Sequence, residues 1–87
     1  MMDELELYRK QVDQVDDLIL KVLHERVKIC MEIGLAKKKK GLPVKDVSRE
    51  NEVYKRVKEK SVELGLDSSQ VEAVYHEIVN MCSVVQL

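Results

Sequence analysis

The chain has no tryptophan, no phenylalanine and only three tyrosines among its 87 residues. Its core therefore has to be aliphatic, built from Val, Leu, Ile and Met with a few tyrosine rings. Proline occurs once, at Pro43, and glycine three times, so little interrupts regular structure. Cysteine occurs twice, at Cys30 and Cys82, with no CxxC pair or His/Cys cluster beside either. That pattern excludes a cysteine-rich metal site and a disulfide framework, and the thiols are expected to be buried and unpaired in a reducing cytoplasm. An excess of one charge is also lacking: the formal net charge is −1, although 36 % of the residues are charged. A general nucleic-acid binder is usually strongly basic, and the run Lys37–Lys40 has no interleaved aromatic residues on which bases could stack. No apolar stretch of about 18 residues is present to cross a membrane, and no N-terminal run resembles a signal peptide. The expectation is one cytoplasmic domain over residues 1–87, without a membrane or nucleic-acid partner.

What is present is helical periodicity. Leu5, Tyr8, Val12, Val15, Ile19, Val22, Ile29 and Ile33 recur at three- and four-residue steps, close to a heptad. A first helix is predicted from residue 3 to about 39, ending in the lysine run and Gly41, with Pro43 as the final stop. A second is predicted over about 47–64 with Val53, Val57 and Leu64 on one side, ended by Gly65. The stretch "DSSQ", residues 67–70, reads as an N-cap with Gln70 at the third helical position. The third helix is then predicted from about 68 to the end, with Val71, Val74, Tyr75, Ile78, Cys82 and Val85 as its apolar face. The fold class is all-α, three helices with a long first one. That helix would span about 54 Å at 1.5 Å per residue, against a radius of gyration of about 12 Å for a compact chain of this size. Two shorter helices cannot cover such a rod, so either a second copy covers it in a twofold dimer or a kink near Gly34 shortens it.

Two cations break the apolar stripe. Arg26 lies four residues after Val22 and three before Ile29, where an aliphatic is expected, and Lys37 lies three turns on, on nearly the same face. Buried charges need partners, so Arg26 is either half of a structural ion pair or part of an anion site. Lys37 also fits a helix C-terminus. Arg9 is about 25 Å from Arg26 along the axis, so one small ligand could meet both only if Arg9 came from another, antiparallel chain. In "GLPVKDVSREN", residues 41–51, Asp46 or Ser48 can cap the second helix and Glu50 suits its first turn. Arg49 does not suit that turn, which leaves it and Lys45 without a structural account. His24 and His76 read as surface or packing residues.

The ordered set "DDLILKVLHER", "GLAKKKKGLPVKD" and "SRE", with an Arg near the start of the first helix, resembles the all-helical (AroQ-class) chorismate mutase family over nearly the whole chain. The resemblance implies an intertwined homodimer of three-helix chains with two equivalent sites. Each site would take Arg26, Lys37, Asp46, Arg49, Glu50 and Gln86 from one chain and Arg9 from the other. It implies the intramolecular rearrangement of chorismate to prephenate, feeding phenylalanine and tyrosine synthesis, with no cofactor and no metal. Arg9 and Arg26 would hold the substrate carboxylates, Lys37 and Gln86 would donate to the ether oxygen, and Glu50 would accept from the ring hydroxyl. Asp46 and Arg49 would complete the wall, with Arg49 near a carboxylate or supporting Glu50. Lys37, Gln86, Arg26 and Glu50 are thus the implied catalytic residues. At Cys82 family members often carry serine; here a substrate contact and a core position stay open, since a thiol donates weakly. The same fold serves isochorismate pyruvate-lyases, and a non-catalytic helical dimer or regulatory module is the remaining alternative.

Overall fold

The computed structural model describes residues 3–87. They form three helices, α1 (Glu4–Lys40), α2 (Val47–Glu63) and α3 (Ser68–Val84), and no strand among the described residues. Each helix starts on an aspartate. Asp3 accepts from the Glu6 amide at 2.8 Å, Asp46 from the Arg49 amide at 3.0 Å and Asp67 from the Gln70 amide at 2.9 Å. Each cap satisfies one of the first-turn N–H groups that a helix leaves without an internal partner. The choice between Asp46 and Ser48 thus falls on Asp46. α1 ends with four lysines in its last turn and Gly41 at φ 68°, a left-handed residue that turns the chain back. The Leu42 amide then bonds the Lys37 carbonyl at 2.8 Å.

α1 runs without a break through Gly34, so no kink shortens it. The described chain is 60 Å long in its largest dimension, and its radius of gyration is 16.6 Å, well above that of a compact chain of this size. α2 and α3 form a hairpin around a small core of Val53, Val57 and Val79, with Tyr54, Val71 and Tyr75 packed against it. The hairpin meets α1 through α3 alone: α1 and α2 make no close backbone approach. α1 is buried only at Cys30 and Gly34, both in its C-terminal half. The predicted stripe is left bare over its N-terminal half: Leu5, Tyr8, Val12, Val15, Ile19 and Val22 are each more than half exposed.

The third helix departs from expectation at its end. It stops at Val84, and Val85, Gln86 and Leu87 continue as a turn in which the Gln86 amide bonds the Ser83 carbonyl at 3.1 Å. On its apolar face Val79, not singled out by the periodicity, is buried, while Val74 is 59 % exposed. Tyr75 and Cys82 belong to the expected face, and Val79 widens it on the side away from Val74.

Candidate active site

Because α3 alone bridges to α1, a gap is left between α1 and α2, floored by the end of α3. It is a cavity of about 450 Å³. The C-terminal half of the α1 stripe forms one wall, with Arg26, Ile29, Ile33 and Lys37. The face of α2 that carries Arg49, Val53 and Arg56 forms the other, with Asp46 and Glu50 at its N-terminal end. Four cationic side chains line the cavity against two carboxylates, in a chain whose net charge is −1. The cavity therefore suits an anion.

Arg26 and Lys37 are half-buried and have no acidic partner among the described residues, so Arg26 is not half of an ion pair there. The Arg26 guanidinium instead donates to the Cys82 sulfur at 2.8 Å and lies 3.8 Å from that of Cys30. The Lys37 ammonium donates to the Val44 carbonyl at 2.6 Å and to Gln86 Oε1 at 2.8 Å. Gln86 Nε2 donates to the Cys82 carbonyl at 3.0 Å. This network fixes the amide orientation: an ammonium can only donate and a carbonyl can only accept, so Oε1 must face Lys37 and Nε2 must face Cys82. It also leaves one N–H of Lys37 and one of Gln86 for a ligand.

Of the residues expected at the site, Arg26, Lys37, Asp46, Arg49, Glu50, Cys82 and Gln86 all line this cavity. Arg9 does not; it sits on the exposed N-terminal half of α1. Arg49 is mostly exposed and its guanidinium pairs with Glu52 at 3.2 Å rather than with Glu50. Glu50 is the more buried carboxylate and has the exposed Lys45 ammonium 3.7 Å away, which gives Lys45 a partner. Asp46 caps α2 and faces the cavity at once. Cys82 is buried and lines the cavity, so its two alternatives, core residue and site residue, coincide in one position. Arg56 also lines the wall but was not singled out from the sequence. The signal was there: it follows Arg49 by seven residues and Val53 by three, on one face of α2.

The electrostatics follow from burial. Loss of water pushes the Cys30 thiol above its ordinary 9.0, contact with Cys82 adds to this, and Arg26 and Lys37 oppose it. Tyr54, packed against the Val53–Val57–Val79 core, is likewise raised, first by burial and then by Glu50 and Glu72, with Arg26 opposing. Its ring packs on His76 with centroids 4.3 Å apart, which makes His76 a packing residue. Among the described residues no three His, Cys, Asp or Glu side chains gather as a metal ion would require, and no helix is long and apolar enough to cross a membrane.

This is an all-helical chain with a cationic cavity at the junction of three helices. The family model of chorismate mutase type II matches residues 8–87, and the chain belongs to that family. It is 34 % identical over 84 residues to a bifunctional chorismate mutase/prephenate dehydratase of Aquifex aeolicus, covering 93 % of this chain and 23 % of that protein. It is 30 % identical over 69 residues to a chorismate mutase of Methanocaldococcus jannaschii, covering 79 % of this chain and 70 % of that one. The chain thus spans less than a quarter of the first relative and most of the second. A solved structure of a conserved hypothetical protein from Pyrococcus furiosus superposes over all of both chains with a TM-score of 0.81 at 29 % identity.

Proposed function

We propose that the chain rearranges chorismate to prephenate, as a homodimer in which the partner's α1 closes each cavity and brings its Arg9 to the site. The observation that carries the catalytic reading is the convergence of Arg26, Lys37 and Gln86 in one cavity, with donors to spare and no acidic partner for either cation among the described residues. The substrate presents two carboxylates, an ether oxygen and a hydroxyl. Its rearrangement is concerted, so no nucleophile, general base, metal or cofactor enters. What the protein must supply is orientation and charge. Folding the enolpyruvyl group over the ring is positioning, which lowers the barrier by removing freedom in advance. Arg26 and Arg9 fit the carboxylates, because a guanidinium fork matches a carboxylate in two bonds. Lys37 and Gln86, each with one N–H left, fit the ether oxygen, where negative charge grows as the C–O bond breaks. Because their other bonds are already made inside the protein, these donors need no reorganisation at the moment of reaction. Glu50 fits the ring hydroxyl as acceptor, and Asp46 and Arg49 complete the wall.

The bare stripe on α1 supports the dimer. A soluble chain rarely leaves so continuous an apolar row in water, and a twofold pairing of the long helices would cover it. A cytoplasmic location belongs to the same reading, both cysteines being free.

The test is a product assay. The parent protein and Arg26→Ala are incubated with chorismate and, separately, with isochorismate. Prephenate from the parent, with turnover by Arg26→Ala lower by about 10²-fold or more, is expected, on the scale of the rate lost when a substrate is misplaced by about 1 Å. Pyruvate release from isochorismate without prephenate would give the site to a lyase. No turnover of either by a folded dimer would leave a binding module.

A further inference from the structure

We propose that Gly34 is a positioning residue for this reaction: the side chain it lacks is what lets Gln86 close onto Lys37. The inference rests on the mutase reading for its catalytic consequence and on geometry for the rest. Gly34 is buried in the middle of α1 with ordinary helical backbone angles, so the conformation does not require glycine. Glycine is a poor residue there, because it costs more chain entropy than alanine in a helix interior. The other two glycines are the converse, with positive φ of 68° and 73° and open space around them.

The reason at Gly34 is proximity. A Cβ added to it would lie 2.9 Å from the Cα of Gln86, 3.0 Å from its Cβ and 3.1 Å from its Cγ. These are not the far atoms of a flexible side chain, so no rotamer change relieves the overlap. Gln86 would have to move as a whole, by about 0.6 Å or more, to regain the roughly 3.5 Å of ordinary carbon contact. It is free to do so, since it sits in the turn beyond α3, tied by backbone to Ser83 at 3.1 Å. Lys37 follows Gly34 by three residues on the same side of α1, and its ammonium is 2.8 Å from Gln86 Oε1. A retreat of Gln86 therefore opens that bond and removes one of the two donors aimed at the ether oxygen. Misplacement on the scale of 1 Å can cost about 10²-fold in rate.

The experiment is a double-mutant cycle on Gly34→Ala and Gln86→Ala, reading kcat, KM and Tm of the full chain. Gly34→Ala is expected to lower kcat by tenfold or more with KM changed less, while Tm is unchanged or higher, because alanine is the better helix residue. On the Gln86→Ala background the same substitution is expected to change kcat by less than twofold, since no donor is left to displace. Parental kcat in Gly34→Ala would overturn the proposal. So would an equal further loss on the Gln86→Ala background, or unfolding of Gly34→Ala on either background, which would make Gly34 a folding residue. If the parent does not turn over chorismate, the mutase reading fails by itself. The positioning role is then read from the Gln86 side-chain amide in the nitrogen–proton NMR spectrum. A resolved amide pair that collapses to exposed values in Gly34→Ala supports it, and an unmoved pair overturns it.

Discussion

Cys30 is buried beside Cys82, and burial holds its proton on above the ordinary 9.0. A group whose folded pKa is raised binds its proton more tightly in the folded state, so its stabilising effect is complete below the unfolded pKa and is lost as pH rises toward the folded one. Stability should therefore be flat for this group at neutral pH and fall from just below pH 9 upward. Denaturant melts between pH 7 and 10.5 should show a smaller alkaline loss in Cys30→Ala than in the parent; equal losses would mean that other groups set the slope. At this scale much of the site was legible. Arg26 and Lys37 stand out because a cation on an apolar ridge breaks a strong pattern, and Arg49 because a cation in a first turn opposes the helix dipole. Gly34 was legible only as a place where α1 could bend. Its contact with Gln86 joins residues 52 positions apart, and nothing local records it.

The three helices follow from local chemistry and were legible to within a residue or two except at the end of α3, which stops at Val84 instead of running to the last residue. Asp3, Asp46 and Asp67 start them, and Gly41 and Gly65 follow α1 and α2. Asp46 does more than start α2, because the same residue faces the cavity and the helix it starts carries Arg49 and Glu50. Asp46→Ala should lower stability by about 1 kcal/mol, the usual effect of losing such a cap. A urea melt measures this, and a loss indistinguishable from zero would mean that Ser48 takes over the cap. Which face of an element packs was harder to read. The apolar stripe is the regular feature of α1, yet the two cations that interrupt it, Arg26 and Lys37, with Cys30 and Gly34 beside them, make the contacts with the end of α3. Periodicity shows that a helix has an apolar face, not which neighbour covers it.

For the whole molecule the deciding quantity is length. A rod 60 Å long with a radius of gyration of 16.6 Å leaves half of α1 outside its own fold, with Arg9 on that half and Arg26 on the other. On the dimer reading each cavity draws its cations from two chains, so defects on different chains can be separated. Arg9→Ala and Arg26→Ala homodimers should each be nearly inactive. Unfolded together and refolded as an equal mixture, they should recover about a quarter of parental activity, because half of the random dimers carry one intact site of two. No recovery, with mixed dimers confirmed by mass after one variant is isotope-labelled, would place Arg9 outside the site. The bare half of α1 also sets a kinetic order. The α2–α3 hairpin can form by collapse of one chain, since its contacts are close in sequence, but on the dimer reading the N-terminal half of α1 loses its water only when it meets a second copy. The last phase of refolding should therefore speed up with protein concentration, and catalytic activity should appear with that phase, not with the earlier gain of helix.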